Sequence, residues 1–192
     1  QIYLTQYIKK IIMTTINNKE INNYQDLSSS DIIYNNSSFG ISIIENIVFA
    51  NVEFNNCNLN NITFLNCGFH NVVFKNSNLT GVTFNDCSLI KSVIKECRCK
   101  YLNIGYTKLK DSNFINANLD ECRFIKDTLS KCVFTGCSLC YGTILDTKFK
   151  GIDLSDSLIT GLSFKVDDLK GCIISSPQAS DIIKNFGIIL KF

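Results

Sequence analysis

Ten cysteines are the side chains best equipped for chemistry in this chain. Thiolates ligate zinc, exchange electrons and close disulfides. Cys97 and Cys99 together with Cys137 and Cys140 have spacings that suit a tetrahedral zinc set, and Cys137-Ser-Leu-Cys140 alone reads as a redox pair. His70 is the single histidine, so a Cys/His metal set or a histidine-based triad lacks support. Asp127 and Asp167 sit forty residues apart in small-residue surroundings and suit either an ion or a hydrogen-bonded ladder. No glycine-rich phosphate loop occurs. Charge is divided unevenly: residues 31–90 carry four acids and one base, residues 91–150 eleven bases and six acids. The net charge of +2 sets up no global field for nucleic acid or membrane, so any anionic partner must read a local patch. Each of these readings depends on where the fold places the side chains.

The placement follows from a period. From Tyr34 to Ile174 every fifth residue is apolar, as in Phe39, Ile44, Phe49, Phe54 and Leu59, through 29 repeats without a slip. On an α-helix five residues advance the side chain by about 140°, which smears the apolar positions around the cylinder. On a flat strand an odd period alternates faces. The pattern closes only if the backbone turns once per repeat, and stacked turns make a solenoid. Two residues before each centre, the side chain faces inward again and is small or β-branched, as in Val52, Cys57, Ile62, Cys67 and Ser77. Two residues after it stand Asn46, Asn51, Asn56, Asn61, Asn66, Asn71 and Asn76, then Gly81 and Asp86, types that tolerate a left-handed corner.

The units FNNCNL, FKNSNL, FINANL and FTGCSL resemble the pentapeptide-repeat family. The resemblance implies an all-β fold, a right-handed quadrilateral β-helix with four pentapeptides per turn. It spans residues 34–174 as about seven coils, roughly 35 Å tall at the usual strand spacing. Residues 1–33 are then a leader and a loose lid, and 175–192 a C-terminal helix and apolar tail. Met13 as the true start competes with a native leader whose Leu4, Ile8, Ile11 and Ile12 form a short helical stripe. The first twelve residues lack the features of a secretory signal, and no apolar run is long enough to span a bilayer.

At the C-terminus, Ser176 and Pro177 read as N-cap and first helical residue, and Ala179, Ile182, Ile183 and Phe186 as one apolar helix face ended by Gly187. Ile188, Ile189, Leu190 and Phe192 follow. This apolar set either folds back over the last coil or, with Ile182, Ile183 and Phe186, buries against a second copy. The stretch from Pro177 to Ile188 is similar to the dimerising end of the quinolone-resistance pentapeptide proteins. That likeness implies a homodimer and a type II topoisomerase (DNA gyrase) partner, which those proteins reach by imitating DNA.

Folding the sequence at twenty residues per coil sorts the chemistry. The two cysteine pairs fall two turns, roughly 10 Å, apart, too far for one tetrahedral ion. Most cysteines occupy the small inward slot, and ten reduced thiols fit the cytoplasm. Asp127 and Asp167 share a column with Thr107 and Thr147. Lys91, Lys108, Lys110, Lys131, Lys148, Lys150 and Lys170 line one face, with Tyr106, Ile125 and Leu145 nearby, and Tyr101 and Tyr141 share another corner. No continuous acidic track suited to DNA mimicry can be assembled. The expectation is a protein without catalytic residues, cofactor or metal that binds another macromolecule. Its partner is a topoisomerase, an anionic surface such as nucleic acid met by the lysines, or, for a plain spacer, nothing.

Overall fold

The computed structural model describes residues 13–189 and residue 191. Short parallel strands recur at a twenty-residue spacing. Thr63–Leu65, Thr83–Asn85, Asn103–Gly105, Arg123–Ile125 and Thr143–Leu145 stack in register, each residue beside the one twenty positions on. This column belongs to a seven-stranded sheet, and a ten-stranded sheet forms further walls. Twenty residues per turn is four repeats per turn, and the chain winds through about eight turns. On two walls the ladder stops at Thr128–Ser130 and Val133–Thr135, while elsewhere it continues to Ser163–Phe164.

The apolar centres fill the bore because stacking in register puts like over like. Tyr34, Phe54 and Phe74 form one column, with ring centroids 5.4 Å and 4.9 Å apart and planes within 7°. Neighbouring columns meet edge-on, as Phe64 meets Phe69 at 5.1 Å and 88°. Both geometries suit the ring quadrupole. The inward small slot has a second job besides size. Ser77 Oγ lies 3.0 Å from the carbonyl of Phe54 and 2.9 Å from that of Lys75, and accepts from the Cys57 amide at 3.0 Å. Ser92, Thr107 and the Cys97 thiol sit the same way, so a short donor at these corners satisfies carbonyls that the turn would orphan. The corners are left-handed, with φ of 50–60° at their non-glycine residues. Asparagines there climb the outside as a ladder, Asn71 donating to Asn51 at 2.9 Å and Asn51 to Asp31 at 2.8 Å.

The ends differ from the sequence expectation. Residues 14–33, expected as a loose lid, form an additional first coil, which raises the count above seven. Thr14–Asn17 pairs with Ile32–Asn35 at a spacing of eighteen, and Glu20–Ile21 pairs with Ser38–Phe39. A single 3-10 turn, Tyr24–Asp26, replaces the regular five-residue edges and hides the period. At the other end the five-residue phase continues in sequence, but the backbone breaks into a one-turn helix, α1 (Val166–Leu169). Asp167 therefore turns out to solvent and leaves its expected column, while Asp168 becomes the buried carboxylate. The final helix, α2 (Ala179–Lys184), starts after a turn through Ser176 and Pro177, so Ser176 is not its N-cap. Gln178 is the residue that plugs the tube. Its amide donates to the carbonyls of Leu154 at 2.8 Å and Ser157 at 2.5 Å, and its Oε1 accepts from the Ser175 amide at 2.7 Å. The helix-stripe reading of residues 1–12 falls outside the described residues.

Candidate partner-binding face

All ten cysteines are free thiols, and eight are buried. Burial pushes the Cys122 thiol up to about 12. The Cys67 thiol is held below its ordinary value, chiefly by the neighbouring Cys87 thiol one coil on. No cluster of three or more His, Cys, Asp or Glu with metal-binding geometry occurs among the described residues. None of their helices is long and apolar enough to cross a membrane.

Asp127 is buried in the small slot. Its Oδ1 accepts from the Thr107 amide at 2.9 Å, and its own amide donates to Thr147 Oγ1 at 3.0 Å, so the threonine–carboxylate ladder forms over these three coils. Its Oδ2 is buried without a partner. Burial raises the carboxyl to about 7.

The lysines of the expected stripe are all exposed. Lys108 and Lys110 project from one wall strand, stacked over Thr128 and Ser130 of the next coil, and Lys91 and Lys131 occupy left-handed corners at its end. Lys148, Lys150 and Lys170 continue upward around a cleft of about 540 Å³ that also takes in Asp167 and Gly171. Lys148 is not free, because the buried Asp168 holds it at 2.9 Å. Lys126, absent from the expected stripe, belongs to this surface. It occupies the corner opposite Lys131, with its ammonium 5.3 Å from the Tyr106 ring and 3.4 Å from the Tyr106 hydroxyl. Its position two residues after the centre Phe124 was the signal for that placement. Ile125 and Leu145 pair with each other on the adjacent wall and are half-buried, so they flank the lysine wall at its Tyr106–Lys126 corner. Tyr101 and Tyr141 share another corner, with Glu121 between them paired to Lys100 at 3.0 Å.

At the C-terminal end Ile182 packs on the core, and Ile183 is half-buried. Phe186 meets Phe164 edge-on at 6.3 Å with half its surface open. Ile188 and Ile189 are exposed, the latter 92%. Leu190 and Phe192 lie outside the described residues.

The model of the pentapeptide repeat region matches residues 37–114 and 67–139. The chain belongs to the pentapeptide-repeat family. No curated protein matches it. Among solved structures, a trypsin-treated form of QnrB1, a plasmid-mediated fluoroquinolone resistance protein, is 17% identical. That alignment covers 94% of this chain and all of that one, with a TM-score of 0.39. HetL, a pentapeptide-repeat protein involved in heterocyst differentiation regulation from the cyanobacterium Nostoc, is 14% identical over 85% of this chain and 90% of its own, with a TM-score of 0.27. Rfr23, from the cyanobacterium Cyanothece, is 12% identical over 83% and 88%, with a TM-score of 0.25. Within this pentapeptide-repeat protein, the corners change character along the tower. Asparagine, glycine and aspartate hold them from residue 46 to 86, whereas Lys91, Tyr101, Tyr106, Lys126, Lys131 and Tyr141 hold many of those that follow, still at φ of 53–60°. Large side chains are disfavoured in that backbone region.

Proposed function

We propose that this pentapeptide-repeat protein is a non-catalytic binding tower whose lysine face docks an anionic macromolecular surface. The observation that carries the reading is the convergence of Lys91, Lys108, Lys110, Lys126, Lys131, Lys150 and Lys170 on one wall and its two corners, all exposed. Placing lysine and tyrosine at left-handed corners costs backbone energy that asparagine would avoid, which supports selection of this surface for what it presents. Acids on the same surface are outnumbered: Asp111 stands between Lys91 and Lys131, Asp167 lines the cleft beside Lys148, Lys150 and Lys170, and Asp86 and Asp146 share the Tyr106–Lys126 corner, where Asp146 is neutralised by Lys165 at 2.5 Å. Exposed Tyr106 adds a flat ring beside the cations, a side chain enriched at binding hot spots.

Binding to a fluorescent DNA duplex, followed by anisotropy across a salt series, tests this. Phosphate contacts by several lysines predict an affinity that falls steeply with salt. Reversing Lys110, Lys131 and Lys150 to glutamate is expected to weaken binding at low salt by at least about tenfold. Equal affinity in a triple variant that melts like the parent would remove the proposal.

The topoisomerase reading rests on a different surface. The half-open Phe186 and the exposed Ile188 and Ile189 suit burial against a second copy, as the C-terminal likeness implies. Micromolar protein that leaves gyrase supercoiling unchanged, with and without a quinolone, would dispose of that reading and leave the lysine face untouched.

A further inference from the structure

Above the first coil, the walls are bonded coil to coil among the described residues except along one seam. In the coil before it, the Thr107 and Ser112 carbonyls accept from the amides of Thr128 at 3.0 Å and Val133 at 3.2 Å. The Asp111 and Asn116 amides donate to the carbonyls of Ser130 at 2.9 Å and Thr135 at 2.8 Å. One coil later the equivalent groups are the carbonyls of Asp127 and Cys132 and the amides of Lys131 and Gly136. None of the four has a hydrogen-bond partner among the described residues. Bonding resumes at both ends of the gap. Lys126 donates to the Leu145 carbonyl at 2.9 Å, and the Leu158 amide donates to the Cys137 carbonyl at 2.8 Å. Two adjacent walls thus lack backbone pairing between residues 127–136 and 147–156, where the strand ladders also end, while the Asp127 amide still reaches Thr147 Oγ1 and Phe134 packs on Phe149 inside. Leu129, on this edge, is the only bore residue between Phe39 and Ile159 that is partly exposed.

The parting opens a cleft of about 370 Å³, with Val133 and Thr135 on one lip and Gly151, Asp153, Ser155 and Asp156 on the other. We infer that this seam is a docking site for an extended peptide segment bearing basic side chains, added as a strand along residues 132–136. The unpaired Cys132 carbonyl and Gly136 amide flank the short strand Val133–Thr135, and another strand presents complementary groups along its length. The charge of the cleft selects the side chains. Asp153 is held below the usual carboxylate range by hydrogen bonds from Ser155, Asp156 stands beside it, and no lysine or arginine lines the cavity. The lysine face, which reaches the seam at Lys131, Lys148 and Lys150, would repel the same ligand and confines it to the wall beyond the Lys131 corner.

Random dodecapeptides displayed on phage and panned against the full chain supply the probe, and the enriched sequences are then synthesised. The expected winners alternate lysine or arginine with β-branched residues. They should slow hydrogen exchange at the Gly136 amide by at least about tenfold, and lose about tenfold in affinity against D153N/D156N. That variant changes two exposed side chains and is checked against the parent by its melting curve. Three results would overturn the inference. The first is enriched peptides that leave that amide unaffected, or no enrichment at all. The second is exchange in the free protein as slow at Lys131 and Gly136 as at Asp111 and Asn116, which means a closed seam. The third is protection that rises with protein concentration alone, which means a second copy fills it.

Discussion

Replacing Phe69 with alanine is expected to destabilise the protein by about 3–5 kcal/mol, the range for deleting a fully buried ring. Phe69 stacks on Phe49 at 5.1 Å and meets Phe64 and Phe84 edge-on, both at 5.1 Å. Its own column continues as Leu89, so no aromatic neighbour can slide in from above to fill the void. In a solenoid each coil is stabilised mainly by the ones beside it, so the loss should concentrate in the coils around residue 69. Urea unfolding gives the total, and hydrogen exchange shows where protection is lost first. A cost below about 1 kcal/mol would mean that the bore is not packed as described.

The second large effect is a pH dependence set by Asp127. Burial raises its folded-state value to about 7, while in the unfolded chain an aspartate titrates near 3.9. Below about pH 4 the carboxyl keeps its proton in both states and costs nothing. Between about pH 4 and 7 only the unfolded chain releases the proton, so stability falls as pH rises. Above about pH 7 both states are ionised and the loss is complete, about 3–4 kcal/mol. The buried Oδ2 without a partner gives the physical cause, since a carboxylate there has no donor to offset its lost hydration. Asp127→Thr would put in this slot the hydroxyl that Thr107 already uses one coil earlier, donating to the corner carbonyls. The variant should be more stable than the parent at pH 8 and about equal to it at pH 4. Parallel stability curves for the two proteins from pH 4 to 8 would refute the assignment.

These effects show which parts of the molecule a sequence can carry. The bore, the small slot and the corners were legible because register stacking repeats one environment every five residues, and Phe54, Ser77 and Asn71 each report theirs. Asp127 was legible as a buried carboxylate for the same reason. Asp167 was not placed correctly, because the apolar phase runs on to Leu169 while the backbone coils into α1 and exchanges it for Asp168. The first coil was hidden by its eighteen-residue register, and Gln178 by the absence of any periodic cue at a tube end. Lys126 followed from the corner rule but was not grouped with the stripe, since its membership depends on a contact with Tyr106. The seam leaves no mark in the sequence. Residues 127–136 and 147–156 keep the same spacing as every other pair of edges, and only backbone pairing distinguishes them.

The geometry itself has a direct measurement. Nitroxide labels are attached at Asn35→Cys and Thr135→Cys, in a chain whose two partly exposed thiols, Cys140 and Cys172, are serine. Both labelled positions lie in one outward column, reached step by step through pairs twenty residues apart, five coils from end to end. At the strand spacing the double electron–electron resonance distance should centre near 24 Å, broadened by the label arms. A distribution centred beyond about 35 Å, or one without a defined peak, would contradict four repeats per turn and with it the face, the seam and the bore.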